Sequence, residues 1–349
     1  MNYEHVCVEA FGCELPDRVV TSVELERRLA PIYQRFSLHE GRLELMTGIR
    51  ERRFWGDDTL PSDASTRAGR RALQASGTLP DQLGCLFHTA VSRDFLEPAT
   101  ASVVHRNLAL SSQAHVYDIS NACLGFVNGM INLANMIELG QVRRGLIVAG
   151  ESSRQLVETT IADLLADKDN VTRQQLKQAF ASLTIGSGAV ALVMAHDSVS
   201  STGHRLLGGA VRAATHHADL CQASADTGFG GDARMSMTTD AETLLLRGCE
   251  LAAETWTEFR RALDWNADDV HRSFTHQVGV AHRERLYESI GLDMAKDFST
   301  VEFLGNVGSV SLPLTMAMGI EQRPPTPGEH IAMLGIGSGL NCVMLGVQW

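Results

Sequence analysis

Asp118-Ile119-Ser120-Asn121-Ala122-Cys123-Leu124-Gly125-Phe126-Val127-Asn128-Gly129 is the stretch on which the reading of this 349-residue chain turns. The apolar run 116–119 predicts a strand ending near Ser120, and the periodicity of 125–139 predicts a helix beginning at or just after Cys123. A cysteine at such a corner meets the positive end of the helix dipole and free backbone N–H groups. Those groups are expected to lower its pKa from about 8.5 toward neutrality and to make it a nucleophile. The small neighbours Ala122 and Gly125 leave room for a substrate. The same position also suits a buried cysteine that acts only as a small hydrophobe.

Working outward, residues 6–10, 85–90 and 146–149 are further strand candidates, and 62–76 and 99–107 are helix-like. Short apolar runs alternating with helical stretches give an α/β pattern with buried strands. The second half repeats the rhythm: a long helix over 239–263, a strand with its turn over 271–277, a helix over 312–319 and closing strands at 331–334 and 343–347. Pro313 is tolerable in a first helical turn. Ile185-Gly186-Ser187-Gly188 and Ile336-Gly337-Ser338-Gly339 each precede an apolar strand at the end of their halves. That match suggests duplication, with residues 1–198 carrying the cysteine and 199–349 forming a similar second half, packed as layered sheets and helices. Residues 219–232, rich in Gly, Ala and Asp, read as a loop or insertion.

Composition narrows the function classes. With 44% hydrophobic and 20% charged residues and a mean hydropathy near zero, the chain reads as soluble and globular. No apolar run reaches the roughly 18–20 residues of a membrane span. Residues 1–13 carry Glu4 and Glu9 with no basic start, so no signal peptide is read and the cytoplasm is the expected compartment. A net charge of −11 argues against a nucleic-acid partner. Seven scattered cysteines without a CxxC pair argue against a disulfide framework or a zinc site, so no metal is expected. The run Gly48-Ile49-Arg50-Glu51-Arg52-Arg53-Phe54-Trp55 concentrates arginine, either as a site for a small anion or as a solvated turn.

Three further positions can carry chemistry. His276 ends a strand in Ser273-Phe274-Thr275-His276-Gln277, where ligands bind in α/β folds, but His271 and His282 have equal claims by residue type. Asn306, in Leu304-Gly305-Asn306-Val307-Gly308-Ser309, is either a turn residue or a fixed N–H donor for a developing oxyanion. Gly335-Ile336-Gly337-Ser338-Gly339 fails as a Walker loop and as a dinucleotide fingerprint, which leaves a tight loop able to aim N–H groups at a thioester carbonyl.

Taken in order along nearly the whole chain, these motifs resemble the thiolase superfamily, and more narrowly the ketoacyl synthase III enzymes with their Cys-His-Asn triad. Thr47-Gly48-Ile49-Arg50-Glu51-Arg52-Arg53 resembles that group's N-terminal motif. Val91-Ser92-Arg93-Asp94-Phe95-Leu96-Glu97-Pro98-Ala99-Thr100 and the ending Gly337-Ser338-Gly339-Leu340-Asn341-Cys342 resemble the OleA family of long-chain olefin biosynthesis. The resemblance implies a duplicated thiolase-like fold in α-β-α-β-α layers and a homodimer. It implies an acyltransferase that joins two acyl-CoAs without decarboxylation, with acyl-CoA as substrate and no cofactor. Cys123, His276 and Asn306 would be the catalytic set, with Glu97 reaching across the dimer as the base. The N–H groups of Cys123, Ser338 and Gly339 would hold the oxyanion, Arg50 and Phe126 would touch substrate, and downstream pathway enzymes are possible partners. By residue type alone, Glu97 equally suits a helix-start acid. The chain departs from the pattern at Gly125, where the family carries alanine, and at Met46, where many ketoacyl synthases carry arginine. Alternatives that the same residues allow are decarboxylative extension with a malonyl thioester, acyl transfer to an alcohol or amine, and a non-catalytic scaffold.

Overall fold

The computed structural model describes residues 1–223 and 235–349. In chain order the strands are β1 (Val6–Glu14), β2 (Arg18–Thr21), β3 (Glu51–Phe54), β4 (Cys85–His88), β5 (His115–Asp118), β6 (Arg144–Glu151), β7 (Gly188–His196), β8 (Arg205–Ala213), β9 (Cys221–Ala223), β10 (Met237–Thr239), β11 (Arg272–Thr275), β12 (His330–Gly337) and β13 (Asn341–Gln348). Nine of them form one sheet in the order β11-β12-β13-β8-β1-β7-β6-β4-β5. β1 meets β8 at the pair Cys7 and Arg205, with the Val8 N–H to His204 O bond and the bridge between Asn2 and Gly208 beside it, so the sheet is two sheets joined along a short seam.

The two sheets have matching plans. β4 runs parallel to β6 and β6 antiparallel to β7, as β11 runs parallel to β12 and β12 antiparallel to β13. β5 runs parallel to β4, and its counterpart beside β11 is reduced to a single parallel bridge between Ser273 and Asp297. Each half then makes a 3-10 turn and a helix: Ala122–Leu124 with Gly125–Glu138, and Gly308–Val310 with Ser311–Gln322.

Burial on both faces explains why the strands read as continuous apolar runs. In β7, Val190, Leu192 and Met194 join the central cluster, while Ala189, Ala191 and Val193 face an outer one. In β12, Ile331 and Met333 face the centre and Ala332 and Leu334 face outward. The helices Gly125–Glu138 and Ser311–Gln322 fill the centre. Pro61–Ser76 and Thr100–Leu108 cover one outer face, and Ala241–Leu263 and Val280–Ile290 the other. The result is the α-β-α-β-α layering expected of a thiolase-like fold.

Other features differ from the sequence reading. The helices Arg154–Ala166 and Arg173–Leu183 pack with Ser22–Arg28 and Ala30–Arg35 in a fourth cluster around Leu25, Ile32, Ile161 and Phe180. β8 also lies outside the expected strands. Within the stretch read as a loop at 219–232, residues 221–223 form β9, paired with β10, and 224–232 lie outside the described residues. Among the described residues no helix is long and apolar enough to cross a membrane.

Candidate active site

Cys123 sits in the 3-10 turn Ala122–Leu124, immediately before the helix Gly125–Glu138. Ala122 is held at φ +44°, a left-handed conformation that costs an L-residue roughly 1–2 kcal/mol. The turn is wedged against the end of β12, where a Cβ added at Gly337 would lie 3.6 Å from that of Cys123. Backbone N–H groups of Ser338 and of Cys123 itself reach the sulfur.

The thiol does not have the depressed pKa that its place at a helix start suggests. Burial, together with the nearby Cys221 and Glu151, pushes it up to about 12 against the two N–H donors. Desolvation of the charged form outweighs the helix end because the sulfur is enclosed.

β11 and β12 are parallel, so their C-terminal ends lie side by side. His276 follows the end of β11 and donates its backbone N–H to Leu334 O at 3.0 Å, three residues before Gly337. It therefore lies at the same end of the sheet as Ser338. Its Nδ1 is buried without a partner, and burial beside His282 pulls the imidazole down to about 4. The sequence left three histidines equal, and the structure separates them. His271 is at the opposite end of β11, exposed, accepting the His330 N–H at 3.1 Å. His282 is in the first turn of Val280–Ile290, lowered by burial and bearing on His276.

Asn306 is fixed through its backbone. Its N–H donates to Thr184 O at 3.0 Å and its carbonyl accepts from Gly186 N at 2.8 Å. Its Oδ1 accepts from Gly308 N at 3.0 Å, which leaves the side-chain NH2 as the donor. The turn Gly308–Val310 packs on the turn Ala122–Leu124, so the carboxamide loop and the cysteine loop are neighbours.

The remaining expected residues divide. Ser338 and Gly339 form the turn between β12 and β13, beside Cys123. Glu97 lies on the exposed loop between β4 and the helix Thr100–Leu108. Phe126, expected to touch substrate, is fully buried in the central cluster with Leu124 and Met130. The three side chains of the arginine run differ. Arg52 is fully buried in β3, bonded through Nη1 to Val20 O and Ser22 Oγ and lowered by burial to about 10. Arg53 donates to Pro16 O. Arg50 alone of the three is exposed, on the segment whose Gly48 packs against Val280.

Two groups at the site were not singled out from sequence. Cys221 lies close enough to act on the Cys123 thiol. Glu151 closes β6 and buries its carboxylate beside the same thiol. Its signal is an acid ending an apolar strand in Val148-Ala149-Gly150-Glu151. Among the described residues one group has metal-ligand spacing, His5, His196 and Asp197. It lies at the end of β7 away from Gly188, and its atoms already pair with one another at 2.9 Å.

Known proteins resemble this chain in sequence and in fold. Residues 117–214 match the family described as 3-oxoacyl-[acyl-carrier-protein] synthase III, and 261–349 match that family's C-terminal region. The acyl-CoA:acyl-CoA alkyltransferase of Shewanella oneidensis is 42% identical over the full length of both chains. That of Xanthomonas campestris pv. campestris is 35% identical, again over both full lengths. A crystal structure of Xanthomonas campestris OleA, a cysteine-to-serine variant with bound lauric acid and lauroyl-CoA, superposes with a TM-score of 0.93 at 35% identity, covering 99% of this chain and 100% of that one.

Proposed function

The chain belongs to the acyl-CoA:acyl-CoA alkyltransferase (OleA) family within the 3-oxoacyl synthase III group, and from that membership we propose that it joins two acyl-CoAs head to head through an acyl-Cys123 intermediate. What supports this reading is that backbone N–H groups reach the Cys123 sulfur, that the turn after Asn306 packs on the cysteine turn, and that His276 lies at the same end of β11 and β12 as Ser338.

The resting pair is a neutral thiol and a neutral imidazole. As a first acyl-CoA arrives, the Cys123 proton passes to His276 while sulfur attacks the carbonyl, and CoA leaves with a proton. The N–H groups of Cys123 and Ser338 hold the oxyanion, a contribution of about 3–4 kcal/mol per donor. A second acyl-CoA then places its thioester oxygen against His276 and the Asn306 NH2, which acidifies its α-carbon. A carboxylate takes the α-proton, the enolate attacks acyl-Cys123, and the C–S bond breaks. Cys123 leaves as thiolate and recovers the proton. The product is a 2-alkyl-3-oxoacyl-CoA.

The base is Glu97 of a second subunit, and the enzyme is a homodimer. β5 is an edge strand with His115 and Tyr117 exposed. The Asp118 carboxylate at its end accepts the N–H groups of Thr100 and Ala101, which sets the Glu97 loop beside this edge. Val91, Phe95, Leu96 and Tyr117 are 51, 50, 46 and 41% exposed there, an apolar patch beside unpaired strand hydrogen-bonding groups. Arg50 meets the CoA phosphates at the rim. The cytoplasm as compartment, the absence of a cofactor and downstream enzymes that consume the β-keto thioester belong to the same reading.

Substitution Glu97→Ala tests it. Condensation of two plain acyl-CoAs should collapse while intact mass still shows acylation of Cys123. Co-expression of Glu97→Ala with Cys123→Ala should restore roughly a quarter of the parental activity, since randomly mixed dimers rebuild one complete site each. Condensation that persists in the Glu97→Ala homodimer would show that another group removes the α-proton. Absence of restoration in the mixture would refute the contribution across subunits.

A further inference from the structure

We propose that Glu151 is a positioning residue that locks the loop carrying Glu97 to the turn that follows Asn306. This rests on the condensing reading above and adds to it the element that keeps the two halves of the carbanion step in register.

Glu151 is the last residue of β6, 5% exposed. Its Oε1 accepts the backbone N–H of Val91 at 2.9 Å, and the N–H and O–H of Ser309 at 3.2 and 3.0 Å. Its Oε2 accepts the N–H and O–H of Ser92 at 3.0 and 2.8 Å. Val91 and Ser92 begin the loop that leads to Glu97, and Ser309 lies three residues after Asn306. Two segments more than 200 residues apart in sequence therefore meet on one carboxylate. Among the described residues no lysine or arginine pairs with it in an ion pair, so neutral donors alone compensate a buried charge. Five donors fill the roughly four lone-pair positions a carboxylate offers.

The surroundings fit this role. Gly308 sits at φ +56°, and a Cβ there would lie 2.9 Å from Glu151 Oε1, so the turn has no room for a side chain between itself and the carboxylate. Ser152 N–H donates back to Ser92 Oγ at 2.9 Å, which closes the contact between strand end and loop. A glutamine cannot replace this group. With its NH2 at the Oε2 position it opposes the Ser92 N–H, and at the Oε1 position it opposes the N–H groups of Val91 and Ser309.

The test compares the parent enzyme with Glu151→Gln and with the milder Ser309→Ala, which removes one O–H donor and keeps the carboxylate. Three quantities are read: the rate of Cys123 acylation and its KM for acyl-CoA, the condensation kcat, and amide hydrogen exchange at Val91, Ser92 and Ser309. Glu151→Gln also removes a charge that disfavours the Cys123 thiolate, so it should not slow acylation, while it lowers condensation kcat about tenfold or more and speeds exchange at the three amides. Ser309→Ala should show the same split at smaller amplitude. An unchanged condensation kcat in Glu151→Gln overturns the proposal, and so does an equal fall of acylation and condensation in both variants, which marks a merely structural role. Should the parent itself fail to condense two acyl-CoAs, the condensing reading falls, and unchanged exchange at the three amides in Glu151→Gln then overturns the tether.

Discussion

At Cys123 two influences oppose each other. The N–H groups of Ser338 and Cys123 favour a thiolate, while enclosure and the Glu151 carboxylate disfavour one, and the second pair wins. Burial thus favours the thiol at Cys123 and the neutral imidazole at His276, and the proposed mechanism moves the proton between them only as the new bond forms. This has a consequence in pH. An exposed thiol with a pKa near 8.5 reaches a plateau in its alkylation rate above that value, whereas the Cys123 rate should climb about tenfold per pH unit through pH 9. Mass spectrometry of the iodoacetamide adduct at Cys123 across pH 6–9.5 checks this. A plateau near pH 7 would mean that the N–H donors dominate after all. Motifs supply the residues proposed for this site, but the sign of the thiol shift was not legible, because it depends on Glu151 and Cys221, which chain folding alone brings to the sulfur.

The elements that place these residues follow from local sequence to different degrees. β6, β7, β12 and β13 are legible because both faces are buried and the runs are continuously apolar. The helices around Val157, Ile161 and Phe180 were less so, since only a narrow stripe of each faces the fourth cluster while the rest is polar. The arginine run was left open between two readings for a related reason. Alternation in β3 points Arg52 inward and leaves Arg50 outside the strand, a distinction that composition does not carry. Gly125, where the family pattern has alanine, is explained by close approach: a Cβ there would overlap the Thr89 carbonyl oxygen. Gly125→Ala should therefore push the helix Gly125–Glu138 off β4, with a loss of about 1–3 kcal/mol and slower acylation of Cys123. Denaturant titration alongside an acylation time course measures both, and parental values in each would show that the helix can shift without carrying the cysteine turn with it.

At the scale of the whole molecule, the two matching sheets divide the residues proposed for the chemistry. The first half supplies Cys123 and the loop with Glu97, and the second supplies His276, Asn306 and the Ser338 turn. β5 is left as an exposed edge with Val91, Phe95, Leu96 and Tyr117 exposed near it, the surface on which the proposed dimer rests. The repeated Ile-Gly-Ser-Gly motif falls before β7 and β13, which occupy equivalent places in the two sheets. For the proposed assembly the sequence offers only the Leu96-Glu97-Pro98 motif, since hydrophobic periodicity does not mark a surface at a sheet edge. What sets this enzyme apart from a decarboxylating synthase is the origin of the carbanion. Product mass spectrometry with a ¹³C-labelled acyl-CoA as sole substrate, malonyl-CoA being added only in a second reaction, addresses that directly. The account predicts a 2-alkyl-3-oxoacyl-CoA, or the ketone derived from it, labelled in both chains without malonyl-CoA. Acyl-Cys123 that accumulates unreacted until malonyl-CoA is supplied, with release of CO₂, would contradict it.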